Sequence, residues 1–213
     1  GAAEALALAG GRLYGLFNNG AYGQPGALED LPTEALKAQF NTNLFGWHHL
    51  IRQVLPAMLA VGEGRIVQNS SVLGLVAMKY RGAYNASKFA LEGYTDTLRL
   101  ELEGSGVHIS LIEPGPIDTR FRANARDAFV RHIDPAQSRH QGAYRQTLTR
   151  LEKEGSTSGF TLPSEACIPP LLHALQSKRP KHRYPVTLPT RLFSILRRLL
   201  PSRWLDRILG KSV

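Results

Sequence analysis

The chain is 213 residues long, 43% hydrophobic and 20% charged, which is enough for one globular domain with a substantial core and argues against global disorder. The net charge of +9 at pH 7 gathers largely after residue 119. No zinc finger, RNA-recognition signature or basic region joined to heptads accompanies it, so we expect no nucleic-acid partner.

Cys167 is the single cysteine, and no Cys, His or carboxylate cluster has metal-ligand spacing, so we expect a reducing, cytoplasmic compartment and no metal. The sequence shows no signal peptide and no run of about 18 apolar residues, the length of a membrane-spanning helix.

Strands and helices alternate along the first half of the chain. Apolar runs predict buried strands at residues 12–19, 64–71 and 107–115. A helix start at Pro32 and Thr33 precedes apolar residues that recur every three or four positions, namely Leu36, Phe40, Leu44, Trp47, Ile51, Leu55 and Met58. A second helix is predicted at about residues 83–103. Alternation with short connections predicts an α/β domain, with a parallel sheet covered by helices on both faces.

The second half of the chain is less regular. Residues 119–163 form a long, basic, poorly periodic stretch, which is typical of a substrate lid or loop. A helix at residues 164–177 and a strand around Tyr184 are predicted to follow it.

Residues 190–213 are predicted to be an amphipathic helical segment, interrupted by Pro201. Its apolar side carries Leu192, Ile195, Leu196, Leu199 and Leu200, and arginines lie opposite. Our first interpretation is that this side packs over a substrate cleft or against a partner subunit. The other interpretation is peripheral binding to an anionic membrane surface, where basic amphipathic helices readily lie.

A tyrosine and a lysine lie one helical turn apart, Tyr84 and Lys88 in AYNASKFALEG, so both side chains leave the same helix face. A free phenol has a pKa near 10 and is a poor acid or base at pH 7. An ammonium about 4 Å away in a partly screened site would favour the phenolate by roughly 4 kcal/mol, or roughly three pKa units. We therefore predict that Lys88 brings the pKa of Tyr84 close to neutrality, where acid–base catalysis is efficient. The alternative is an ordinary amphipathic pair on a solvated face.

Two polar residues precede this pair. Ser71 ends a predicted strand and can hydrogen-bond a substrate oxygen as charge develops on it, although it can equally cap a loop. Asn43 lies inside a predicted helix between Phe40 and Trp47, where a buried amide needs partners. A bound water that feeds protons toward Lys88 would supply them, and so would a buried backbone group.

This order of elements resembles the short-chain dehydrogenase/reductase family: Asn on a helix, Ser at the end of a strand, Tyr and Lys on the next helix, then a strand that ends in Pro-Gly. The resemblance runs from about Leu13 to Thr119 and continues more weakly to the C-terminus. The segments RLYGLFNN, LPAM, GEGRIV, SLIEPGPI and RYPVTL are similar to bacterial aldehyde and ketone reductases related to retinol and hydroxysteroid dehydrogenases.

The resemblance implies Tyr84 as the acid/base, Lys88 as the modulator of its pKa and a ligand of the cofactor ribose, Ser71 as the group that orients the carbonyl, and Asn43 as the holder of a water. It implies cofactor contacts from Asn19, Gly20, Ala21, Tyr84, Lys88 and, in PGPIDT, from Pro114, Gly115, Ile117 and Thr119. NADP(H) is the implied cofactor, with NAD(H) as the alternative, and the implied substrate is a small apolar aldehyde, ketone or alcohol. The helices around Trp47 and Leu98 imply a homo-oligomer.

The chain departs from the family pattern in two places. Gly20 and Ala21 follow Asn18 and Asn19 where the family has Ala and then Gly, and a Cβ at the second position can obstruct a positive φ. The family's Thr-Gly-x-x-x-Gly-x-Gly turn and first three strands have no counterpart here. We therefore expect a partial Rossmann-like domain over residues 1–213, with strand 12–19 as a bare edge. We expect an oxidoreductase whose residues 1–213 are inactive alone; the competing hypothesis is a catalytically silent binding or scaffold protein.

Overall fold

The computed structural model describes residues 1–153 and 159–210, in which strands and helices alternate as the apolar pattern predicts. The first half contains α1 (Ala2–Leu8), β1 (Gly15–Asn18), α2 (Thr33–Phe40), α3 (Gly46–Val61), β2 (Gly64–Asn69), α4 (Gly82–Glu101) and β3 (Val107–Glu113). The second half contains β4 (Ile117–Asp118), α5 (Phe121–His132), α6 (Gln141–Glu152), β5 (Leu162–Pro163), α7 (Ile168–Gln176), β6 (Arg183–Pro185), α8 (Leu188–Leu199) and α9 (Ser202–Leu209). The predicted α/β class is therefore confirmed.

The main sheet has four parallel strands in the order β1-β2-β3-β6, so β1 and β6 are its two edges. Its first three strands end at Asn18, Asn69 and Glu113, and their carboxyl ends meet at the same edge of the layer. In open parallel sheets this is the edge where ligands bind. Among the described residues no strand pairs with the outer side of β1.

The apolar stripe of the first long helical region forms the core on one face of the sheet. Ile51 and Met58 of α3 are buried against Ile66 and Ile109 of the central strands. A π-helical turn, Asn41–Phe45, joins α2 to α3 and interrupts the regular helix. Such turns often occur at functional sites; this one carries Asn43, whose side chain is buried.

Residues 119–163 are largely helical rather than a loop, and their role as a substrate lid stays a prediction. Helices α5 and α6 occupy this region, and Phe129 packs edge-on against Tyr144 with ring centroids 5.2 Å apart. The Tyr144 hydroxyl also accepts a hydrogen bond from the Ala27 amide at 3.0 Å, which ties α6 to the loop after β1. The buried side of α5 consists largely of alanines, so the surrounding arginines hide its periodicity. Residues 154–158 of the predicted stretch lie outside the described residues.

The amphipathic segment is helical as predicted, in α8 and α9, although residues 211–213 lie outside the described part. Its inner face, however, is formed by Phe193, Leu205 and Leu209, which pack with Leu73 and Tyr84. The predicted apolar side does not make this contact, because its members Leu192, Ile195 and Leu199 are exposed. Within the described ranges, no helix is both long and apolar enough to cross a membrane.

Candidate active site

Tyr84 and Ser71 meet at the carboxyl edge of the sheet. Tyr84 lies in the first turn of α4, and Ser71 follows the end of β2. Both residues are buried, and their side chains share a hydrogen bond. The Ser71 Oγ also accepts a hydrogen bond from the Leu73 amide at 3.1 Å. Ser71 therefore caps the short turn that follows β2 and at the same time presents its hydroxyl to the phenol.

The Tyr84 phenol does not have the near-neutral pKa that was predicted from its neighbour Lys88, and the role of Lys88 as a modulator stays a prediction. Burial raises the pKa of Tyr84 to about 12, and the hydrogen bond with Ser71 offsets only part of this effect. The Lys88 Nζ donates to the Asn69 carbonyl at 2.7 Å and lies 5.6 Å from the centroid of the Tyr84 ring. Burial also lowers the pKa of Lys88 to about 7, which the Glu92 carboxylate partly opposes. Because both groups are withdrawn from water, burial disfavours the charged form of each.

The structure places Asn43 against backbone. Its Nδ2 donates to the Tyr22 carbonyl at 3.1 Å and to the Ser87 Oγ at 3.1 Å. Its Oδ1 accepts from the Tyr22 amide at 3.3 Å. Asn43 thus fixes the loop after β1 to α4, which is the backbone alternative raised above, while a water-holding role stays a prediction.

The loop after β1 is held at the same edge of the sheet. The Asn19 Oδ1 accepts a hydrogen bond from the Asn69 Nδ2 at 2.6 Å, and the Gly20 carbonyl accepts one from the Trp47 Nε1 at 3.0 Å. Ala21 packs against the apolar cluster that contains Trp47. Among the described non-glycine residues only Tyr80 has a positive φ, so Ala21 needs no left-handed conformation. The expected obstruction from exchanging glycine and alanine is therefore absent.

The segment after β3 lies beside the loop that carries Ser71. The Pro114 carbonyl accepts a hydrogen bond from the Val72 amide at 2.7 Å. A Cβ on Gly115 would lie 2.1 Å from the Thr187 Oγ1, so only glycine allows this close approach. Ile117 pairs with Leu162 in the β4–β5 sheet, and the Thr119 Oγ1 accepts from the Phe121 amide at 3.3 Å. All four predicted positions in PGPIDT thus follow β3 at the carboxyl edge.

Polar atoms near Lys88 fit a hydroxylated ligand such as a ribose. The buried Asn69 Oδ1 has no hydrogen-bond partner among the described residues. The Lys88 ammonium has three N–H groups, of which one donates to the Asn69 carbonyl. An unpaired buried acceptor is costly, so a ligand hydroxyl that donates to it would stabilise the site.

The Tyr84 ring forms part of the wall of a cavity of about 110 Å³. The other lining residues are mostly apolar, with three arginines and no Asp or Glu: Gly23, Pro25, Leu73, Arg81, Phe121, Arg122, Ala125, Arg150 and Leu151. Arg122 donates to the Lys153 carbonyl at 2.8 Å. Arg150 has no acidic partner within residues 1–153 and 159–210, and burial lowers the pKa of its guanidinium. The cavity is therefore apolar, electropositive and next to the phenol.

Sequence reasoning missed a buried group of charges under the site. Glu92 accepts a hydrogen bond from the Ser70 hydroxyl and pairs with Arg183 at 3.1 Å. Arg183 also pairs with Asp96 at 2.7 Å and with Glu113 at 3.2 Å. Burial raises the pKa of Glu113 to about 8, and the nearby Glu92 charge acts in the same direction. The sequence does hold one signal for Glu92, because it follows Lys88 by one helical turn.

The family model for the short chain dehydrogenases matches residues 2–129. Together with the parallel sheet and the residues at its carboxyl edge, this match shows that the chain belongs to the short-chain dehydrogenase family. The resemblance proposed from the sequence is confirmed.

Individual relatives cover nearly the whole chain. "Uncharacterized oxidoreductase YbbO" of Escherichia coli strain K12 is 45% identical over 206 residues, which is 97% of this chain and 70% of that protein. "NADPH-dependent 3-dehydrocapnine reductase" of Ornithobacterium rhinotracheale is 32% identical over 202 residues, covering 93% of this chain and 69% of that protein. A solved short-chain dehydrogenase/reductase from Burkholderia phymatum in complex with NAD is 28% identical, with a TM-score of 0.71 over 100% of this chain and 74% of that one. The chain is thus an oxidoreductase of this family.

Proposed function

We propose that this chain carries the catalytic residues of a reductase that uses NADP(H), with NAD(H) as the alternative cofactor. Its substrate is a small apolar aldehyde or ketone, or the corresponding alcohol in the reverse direction. The observation that carries the proposal is a buried phenol, Tyr84, that is hydrogen-bonded to Ser71 and lines an apolar cavity.

The proton step follows from the state of the phenol. With a pKa of about 12, Tyr84 keeps its proton at pH 7 and can donate it to a carbonyl oxygen, which supports the reductive direction. The Ser71 hydroxyl, already bonded to the phenol, would bond the same oxygen and stabilise the negative charge that develops on it. The nicotinamide, when bound, supplies the hydride.

Lys88 would hold the ribose with the N–H groups that it does not use toward Asn69. Its pKa of about 7 means that the ammonium and the amine are both populated near neutrality. A charged Lys88 favours loss of the Tyr84 proton, and the Glu92 carboxylate helps to keep it charged. The other predicted cofactor contacts are unchanged: Asn19, Gly20, Ala21, Tyr84, Pro114, Gly115, Ile117 and Thr119.

The cavity supports an apolar substrate that carries one anionic or strongly polar group. Its walls are mainly apolar, and Arg150 is half-buried without an acidic partner among the described residues. A guanidinium out of water is costly until an anion pairs with it, and its planar fork suits a carboxylate or sulfonate.

The substitution Tyr84→Phe, made in the gene product that contains this sequence, tests the proposal. We expect NADPH-dependent reduction of a series of aliphatic aldehydes, followed at 340 nm, to fall by at least about 100-fold, the usual contribution of a positioned acid. Tyr94→Phe is the matched control, because Tyr94 lies on the same helix but bonds the His48 ring at 3.0 Å on the surface. Turnover that Tyr84→Phe leaves unchanged would refute the assignment.

The competing class is a catalytically silent binding or scaffold protein. Residues 1–14, before β1, hold no glycine-rich phosphate-binding turn, and within the described residues the outer edge of β1 has no paired strand. We propose that residues 1–213 alone bind NADP(H) and NAD(H) weakly and turn over little. Isothermal titration of this polypeptide with both cofactors tests this; tight binding of either would contradict it.

A homo-oligomer is proposed through the outer faces of α3 and α4. These helices expose Leu50, Leu59 and Leu100, while their inner faces are buried. Sedimentation equilibrium tests this proposal. A monomer at all concentrations would exclude it, and substituting Leu100 by Asp should dissociate an oligomer that uses this face.

A further inference from the structure

The outer faces of α8 and α9 carry an exposed apolar stripe. On α8, Leu188, Leu192, Ile195 and Leu199 follow helical spacing and are 63%, 51%, 56% and 73% exposed. On α9, Trp204 and Ile208 are one turn apart and are 61% and 43% exposed. We call these six residues the outer stripe. Large apolar side chains that are contiguous and exposed mark interaction surfaces.

The outer stripe does not face the core. The inner side of the same helices, formed by Phe193, Leu205 and Leu209, packs against the cluster that contains Leu73 and Tyr84. Because α8 and α9 pack on the same cluster, their outer sides both face away from that cluster. Helix α8 follows β6, which forms the edge of the main sheet opposite β1.

The positive charge around the outer stripe indicates what kind of partner it binds. Residues 188–210 contain five arginines and one acidic residue, Asp206. On a helical projection Arg191 and Arg198 flank the stripe of α8, and Arg203 and Arg207 flank that of α9; all four are exposed. In the described part of the chain none of these four has an ion pair. A second copy of this chain would oppose arginines with arginines, whereas anionic lipid headgroups complement them.

We propose that α8 and α9 bind the surface of an anionic lipid bilayer, lying in the interface with the outer stripe inserted and the arginines at the headgroups. A basic helix with a polar face and exposed Trp and Leu has the composition of interfacial helices. Trp204 has the amphipathic ring that settles at the headgroup level. The two helices that bind the bilayer also pack, through their inner side, against the cluster that includes Tyr84.

Co-sedimentation with lipid vesicles tests the proposal on the 213-residue chain. We expect binding to vesicles of phosphatidylcholine with phosphatidylglycerol, little binding to phosphatidylcholine alone, and release at 0.5 M NaCl, because salt screens the surface potential. Each substitution Arg191→Gln or Arg198→Gln should lower the partition coefficient about fivefold. The control Arg52→Gln changes an exposed arginine on α3 and should leave binding unchanged.

The apolar half of the surface is tested by the triple variant Leu192→Ser, Ile195→Ser, Leu199→Ser, which changes exposed side chains and keeps the inner face. It should lose binding by at least tenfold, while Leu172→Ser, at an exposed leucine of α7, should not. Circular dichroism checks that the variants stay folded. No sedimentation of the wild-type chain, or equal binding of the triple variant, would overturn the proposal. A wild-type dimer that the triple variant dissociates, without vesicle binding, would assign the surface to a second copy instead.

Discussion

Lys88 gives the sharpest quantitative prediction, because its amine is buried and its pKa is lowered from 10.5 to about 7. The folded state holds the lysine proton less tightly than the unfolded chain does. Acidification from pH 10.5 therefore protonates the unfolded chain first and lowers the free energy of unfolding, until the folded pKa near 7 is reached. Three pH units at about 1.4 kcal/mol each amount to about 4 kcal/mol between pH 10 and pH 7.

The substitution Lys88→Met removes this titration and keeps the apolar stem. The variant also loses the hydrogen bond to the Asn69 carbonyl, but that cost does not change with pH over this window. Urea unfolding at pH 7, 8, 9 and 10 should show the stability of the wild type falling by about 4 kcal/mol more than that of the variant as the pH is lowered. Lys37→Met, at an exposed lysine of α2, is the control that should follow the wild type.

Two results would refute this reasoning. Parallel stability curves for the wild type and Lys88→Met would mean that the amine keeps an ordinary pKa, so that burial does not govern it. A difference of the opposite sign, with the wild type gaining stability on acidification, would mean that an anion such as Glu92 dominates the environment of Lys88.

Three further predictions concern the frame of the site. Gly115→Ala should lower the free energy of unfolding by about 1–3 kcal/mol in urea, because the new methyl group would meet Thr187, whereas Gly142→Ala, with open space around it, should not destabilise. Arg183→Met should cost about 3–5 kcal/mol because it leaves the buried Glu92 carboxylate without its arginine; a loss under 1 kcal/mol would contradict this. Arg150→Met should weaken binding of butanoate about tenfold by isothermal titration and leave butanol binding unchanged, and equal loss for both ligands would argue against ion pairing.

The sequence predicted those features that local patterns encode. Apolar runs located β1, β2 and β3, and the three-to-four-residue spacing located the buried side of α3 from Trp47 to Met58. The order of Asn43, Ser71, Tyr84 and Lys88 indicated the family, which the comparisons confirm. The region after residue 119 was misassigned, because small alanines and exposed arginines give helices such as α5 little apolar contrast.

Residue order therefore determined which chemical groups gather at the carboxyl edge of the sheet, since a strand's end and a helix's first turn are set by short-range preferences. Only the tertiary structure decided their ionisation, because the pKa of a phenol or an amine depends on how much water the surrounding elements remove. It also decided which side of α8 is covered. An amphipathic pattern predicts an apolar and a polar face, but it does not identify the residues that cover the apolar one. Here the covering residues include Leu73 and Tyr84, which lie more than a hundred residues earlier in the chain.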